Sequence, residues 1–151
     1  MLKKLTASLF GTPAKATSQG PDNAQLAAAA LLMEAALMDG AMGAEEEAAV
    51  SRLLRERFAL DETQCAKLLD AGKAKAENAV ELYSFTKVVK DAFTHEERVD
   101  MIEMLWQVVY ADGVLHDYEA NLITRVCGLI YVSGPDSGAA KRRALAKLGL
   151  N

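Results

Sequence analysis

The chain is predicted to fold as an all-α bundle of about seven helices, with an internal pseudo-twofold repeat of helix–D-G turn–helix hairpins. Three observations predict this. Ala, Leu, Glu and Lys dominate beyond the first twenty residues, and β-branched clusters are short. Apolar residues recur at three- and four-residue spacing and do not alternate. The stretch MDGAMGAEE from Met38 to Glu46 returns 73 residues later as ADGVLHDYE from Ala111 to Glu119.

Each element has a local justification. Residues 11–23, GTPAKATSQGPDN, read as a flexible linker, rich in Gly, Pro, Ser and Thr. Residues 1–20 are therefore set apart as a short amphipathic segment with a linker. The helical domain is expected over 21–151. Asp22 to about Met38 forms the first helix, carrying the apolar run LAAAALLM. Residues 44–58 form the second, with Val50, Leu53, Leu54 and Phe58 at core spacing. Asp61 caps a third helix that runs to about Lys75 and turns Cys65, Leu68 and Leu69 inward. Residues 79–92 follow, with Leu82, Phe85, Val88, Val89 and Phe93 as the apolar face. Thr94-His95-Glu96-Glu97 is a capping box opening a helix through Ala111, which buries Ile102, Leu105, Trp106 and Val109. A further helix spans about 117–131. After SGPDSG, a short basic helix, AAKRRALAKL, is expected to close the domain.

Bulk composition narrows the function classes. With 151 residues, 51% of them hydrophobic, the chain holds one domain with a sizeable core. A net charge of −4 speaks against a nucleic-acid binder and favours cations or basic protein surfaces as partners. No segment reaches the ~20 apolar residues of a membrane span. MLKKLTASLFG has too short an apolar stretch for a secretory signal, though Leu2, Leu5, Leu9 and Phe10 make a helical stripe. Cys65 and Cys127 are far apart within apolar patterns, as expected of buried free thiols in a reducing cytoplasm.

The repeat carries the chemistry. A shift of 73 lays Asp39 on Asp112, Gly40 on Gly113, Met42 on Leu115, Glu46 on Glu119, Val50 on Ile123, Arg52 on Arg125 and Leu53 on Val126. The glycine suits a left-handed helix end. The glutamate falls in the first turn of the next helix, where a carboxylate is favoured. The string D-G-x₅-E matches the second half of an EF-hand, but the first half lacks it. A calcium loop needs oxygen ligands at its first and third positions, and these are Ala35 and Leu37, or Val108 and Tyr110, inside helices.

Two readings of the acids stay open. In one, each Asp accepts backbone N–H groups of its own turn and each Glu pairs with an arginine such as Arg52 or Arg125. In the other, the two turns meet, and Asp39, Glu46, Asp112 and Glu119 form a four-carboxylate cluster whose repulsion a divalent cation relieves. Ca²⁺ or Mg²⁺ fits that set better than Zn²⁺, because no Cys or second His lies at ligand spacing. Glu34, His116 and Asp117 are accessory candidates.

In context these residues resemble the TerB-like family, the tellurite-resistance-associated TerB proteins. A related domain precedes the J domain in some membrane-anchored co-chaperones. The resemblance is carried by ADGVLHDYEANLITRV at 111–126, LMDGAMGAEEEAAVSRLL at 37–54 and LYSFTKVVKDAFTHEERVDMIEMLWQVVY at 82–110. It covers about residues 22–148, with Met38 where the family usually has a small residue. It implies a seven-helix bundle with internal pseudo-symmetry. It also implies a role in tellurite and broader stress resistance in bacteria, and a place in the cytoplasm near the inner membrane face with membrane- and metal-related partners. Asp39, Glu46, Asp112 and Glu119 match the family's acidic positions. The family name supplies no reaction.

No Gly-rich phosphate loop, H-E-x-x-H or G-x-S-x-G is present. His95, in its capping box, is expected to be exposed, as is the turn histidine His116. Lys141, Arg142, Arg143 and Lys147 read as a solvated basic face, or as a contact for phospholipid or an acidic partner. The leading expectation is a non-enzymatic adapter with a protein partner and an acidic, cation-responsive site. The rivals are a metal-dependent, hydrolase-like enzyme using the same carboxylates, and a co-chaperone-like interaction domain without metal.

Overall fold

The computed structural model describes residues 22–38, 42–78, 82–114 and 117–150. Among them are seven helices and no strand: α1 (Asn23–Ala36), α2 (Ala44–Phe58), α3 (Glu62–Asn78), α4 (Tyr83–Ala92), α5 (His95–Val109), α6 (Asp117–Ile130) and α7 (Gly134–Leu148). The expected N-terminal amphipathic segment and most of the linker lie outside the described residues. No helix among those described is long and apolar enough to cross a membrane.

Helix starts follow side-chain chemistry. Asp22 accepts from the Gln25 amide at 2.8 Å, and Asp61 from the Gln64 amide at 2.7 Å. Gln64 Oε1 in turn accepts from the Asp61 amide at 2.9 Å. Thr94 and Glu97 form the expected reciprocal box, at 3.1 and 2.8 Å. Each such cap satisfies donors the helix leaves orphaned and is worth about 1 kcal/mol.

Several boundaries differ from expectation: α4 begins at Tyr83 and not at 79, and α1 and α5 end at Ala36 and Val109, two residues short. The last helix begins at Gly134, five residues earlier than AAKRRALAKL implies, because Ser133 Oγ accepts from the Asp136 amide at 3.1 Å. Pro135 sits in the first turn, where its missing N–H costs nothing. The SGPDSG stretch is thus a capped helix start and not a loop. The third helix continues three residues past Lys75, to Asn78.

α1 and α5 are the central helices, packed on each other. α1 also meets α2, α3 and α4, while α5 also meets α2, α6 and α7. Nine of the fourteen α1 residues are buried, and Met101–Val109 of α5 are buried without a break. Burial on nearly every side marks helices enclosed by neighbours. Small side chains make room on α1. Gly72 of α3 comes so close that a Cβ there would lie 2.8 Å from Ala29 Cβ.

Some element ends are spaced by 73 residues. α1 ends at Ala36 and α5 at Val109, while α2 starts at Ala44 and α6 at Asp117. Leu37 and Tyr110 cap the first pair with nearly the same dihedrals, φ −98°, ψ 7° and φ −98°, ψ 6°. Their amides bond Met33 O at 2.9 Å and Trp106 O at 3.1 Å, the same i→i−4 contact in both.

Candidate functional site

The second D-G turn closes on its own backbone. Gly113 takes φ +82°, a left-handed value open to glycine, and its amide bonds Tyr110 O at 2.8 Å. Asp112 is exposed, and its Oδ1 accepts from the Val114 amide two residues on, at 2.9 Å. This is an Asx turn, and it answers why an aspartate tolerates the end of a helix whose dipole disfavours it.

Glu46 and Glu119 occupy the third position of α2 and α6 and are buried, 6% and 2% exposed. Glu46 Oε1 accepts from the Gly43 amide at 2.7 Å, closing the start of α2. Three glutamates stand in the first turn of α2, but only Glu46 folds inward. Asp39, Gly40, Leu115 and His116 lie outside the described residues, and Asp117 is described only through its backbone at the start of α6. Among the described residues, no three His, Cys, Asp or Glu side chains gather as a metal-holding group.

Arg52 Nη2 donates to Gln107 Oε1 at 3.4 Å, and Arg52 Nη1 lies 3.7 Å from Glu56. Burial pushes the Glu34 carboxyl above its ordinary range, and the nearby Arg125 charge partly pulls it back.

A groove of about 520 Å³ runs along the outer side of α2 and is lined by Ala48, Ser51, Arg52, Arg55, Glu56 and Leu60. Of the described candidate carboxylates, Glu46, Asp112 and Glu119, none lines it. Both cysteines are buried and free, as expected. Burial raises the Cys127 thiol, opposed by a hydrogen bond with Ser137, so it is a poor nucleophile.

The basic face of the last helix stays largely exposed, but three of its cations also reach α5. Glu103, 5% exposed, accepts from Arg143 Nε at 2.7 Å and also from Lys147 Nζ. Burial alone would raise its carboxyl, but hydrogen bonds from Lys147 and then Arg143 outweigh this and hold it below the ordinary range. Lys141 Nζ lies 5.2 Å from the Trp106 ring centroid and 5.9 Å from that of Tyr110. Trp106 Nε1 donates to Ser137 Oγ at 3.3 Å. Three of the four basic residues, while solvent-facing, thus also hold α7 to α5. The available signal was Glu103 itself, a charge set between Ile102 and Met104 inside an apolar run. Such a residue is almost never fully buried unless paired. His95 is exposed as expected, and its Nε2 lies 3.3 Å from Asp136 Oδ2.

A family model described as tellurite resistance protein TerB matches residues 25–142. Comparison with curated proteins and with solved structures gives no match to either.

Proposed function

The chain belongs to the TerB family of tellurite resistance proteins, and on that premise we propose that it acts without catalysis, as an adapter that binds a protein partner in a bacterial stress response. The observation that carries this reading is how the turn acids are spent. Glu46 serves the Gly43 amide and Asp112 the Val114 amide, so both act as turn closures. A general acid or base must instead be within reach of a substrate proton. In the α2 groove Glu56 lies 3.7 Å from Arg52, and the Ser51 hydroxyl lies 3.5 Å from Cys65 Sγ.

Divalent-cation binding by Asp39, Glu46, Asp112 and Glu119, with Ca²⁺ or Mg²⁺ preferred, is the second reading. The burial of Glu46 and Glu119 at matching helix positions favours it. A cation there would compete with backbone amides for Glu46 Oε1 and Asp112 Oδ1. Calorimetric titration with Ca²⁺, Mg²⁺, Mn²⁺ and Zn²⁺, on the parent and on Asp39→Ala and Asp112→Ala, separates the readings. Saturable heat in the parent that either substitution removes supports the cation. Absence of heat leaves a metal-free adapter. The adapter reading itself is tested by affinity capture with and without chelator. A specific protein that co-purifies in both conditions supports it, and a chain that captures none in either overturns it.

A further inference from the structure

We infer that the corner formed by Tyr83, Lys87 and Lys90 of α4 and by Tyr131 after α6 is a docking surface for an acidic segment of a protein partner. The inference rests on the adapter reading and gives it a location.

Tyr131 motivates it. Its backbone lies at φ +61°, in the left-handed region, where a side chain carries a steric cost. The position is needed because the Val132 amide closes the end of α6 on Cys127 O at 2.9 Å. At two other left-handed positions, in the second D-G turn and after α7, the chain uses Gly113 and Gly149. At the end of α2 it uses the small Ala59. Here it places a tyrosine and leaves it 68% exposed. That choice departs from the backbone preference for glycine, and the exposed ring adds nothing to the buried core. Rule-breaking without a packing return is the mark of a functional position.

The surroundings complete a surface. Tyr83, Lys87 and Lys90 stand at i, i+4 and i+7, so they form one stripe of α4 about 10 Å long. Lys90 Nζ lies 5.3 Å from the Tyr131 ring centroid and orients it. Tyr83 is 51% exposed. Lys87 pairs with Asp91 at 3.0 Å, and Arg98 Nη1 donates to the carbonyls of Lys90 and Phe93. Lys87, Lys90 and Arg98 against Asp91 make this group positive on a chain of net charge −4. Two tyrosines flanking lysines are the composition of a protein hot spot, with rigid aromatic anchors beside charges that select an acidic partner. A lipid surface calls for a cluster of about four to eight basic residues, more than this group holds.

The test uses the full chain, labelled for NMR, and a capped decapeptide of Glu and Asp, with a Gln decapeptide as control. Shifts confined to Tyr83, Lys87, Lys90 and Tyr131, and lost at ~0.5 M salt, support the inference. Tyr131→Gly and Lys90→Glu should each weaken binding about fivefold or more. Tyr131→Gly should also melt no lower than the parent, because glycine relieves the left-handed backbone. A clear fall in its melting temperature would make the ring a structural element and overturn the inference. So would shifts elsewhere, no binding of the acidic peptide, or binding of anionic phospholipid vesicles through these residues in its place. These outcomes read the surface directly, so it can fail while the adapter reading stands.

Discussion

Arg52 of α2 donates to Gln107 of α5 at 3.4 Å, a bond that crosses between the two helical hairpins. Shifted by 73 residues, the same two positions are Arg125 and Glu34, and there the Arg125 charge acts on the Glu34 carboxyl. Each hairpin therefore sends an arginine from its second helix towards the same position on the other hairpin's first helix. In one case the acceptor is a neutral amide. In the other it is a carboxylate that burial disfavours.

Glu34→Gln installs the α5 side chain at the α1 position. Because burial raises the Glu34 pKa in the folded state, its ionised form costs stability at pH values above that pKa. The cost fades as pH falls through the folded pKa towards the ordinary value of 4.5. Glu34→Gln is expected to melt a few degrees higher at pH 7, with the gain shrinking on acidification; solvent screening keeps the effect small. Arg125→Ala should melt lower than the parent at pH 7. Thermal melts from pH 4 to 8 read both, and a Gln variant that melts lower at neutral pH would refute the assignment.

Gly72 and Gly128 offer a matched pair. Alanine in a helix interior ordinarily gains about 1 kcal/mol over glycine. At Gly128 of α6 an added Cβ meets nothing within 4 Å, so Gly128→Ala should gain roughly that amount, about 2–4 °C. At Gly72 the Cβ would lie 2.8 Å from Ala29 Cβ and 3.1 Å from its carbonyl carbon. Overpacking costs about 1–3 kcal/mol and should outweigh the propensity gain. Gly72→Ala is expected to lower the melting temperature, and equal gains in both variants would show that α1 and α3 pack less closely than described.

Glu103 anchors α7. Replacing it by Ala leaves Arg143 and Lys147 without their acceptor and should cost about 1.5–3 kcal/mol. Its folded-state carboxyl lies below the ordinary 4.5, so the contribution is full above that value and is lost as pH falls through the lowered pKa. The chain has one tryptophan, and Trp106 bonds Ser137 of α7. Its emission should therefore shift to the red on acidification. Glu103→Gln should flatten that acid transition. An unchanged transition would locate the acid-labile contact elsewhere.

Glu46 separates shape from charge. Glu46→Gln keeps an oxygen for the Gly43 amide and should cost well under 1 kcal/mol, whereas Glu46→Ala removes the cap and should cost about 1 kcal/mol. Urea unfolding of the two variants reads the difference. Equal losses would mean that the negative charge, and not the hydrogen bond, is what this position supplies.

Helix identity and most helix starts were written locally. Asp22, Asp61 and the Thr94–Glu97 box act on amides three residues away, so a short window contains the whole interaction. The D-G-x₅-E spacing likewise placed Glu46 and Glu119 in the first turns of their helices. Ser133 is as local a signal, but the glycines and proline around it hid the start of α7. Other features could not be read from any window. α1 and α5 are enclosed because four helices pack around each, and Arg143 and Lys147 find Glu103 from 40 and 44 positions along the chain. Capping compares a helix end with itself, so sequence is enough to place it. Which buried charge meets which cation depends on how separate helices pack together, a balance of packing and desolvation that exists only once the bundle has formed.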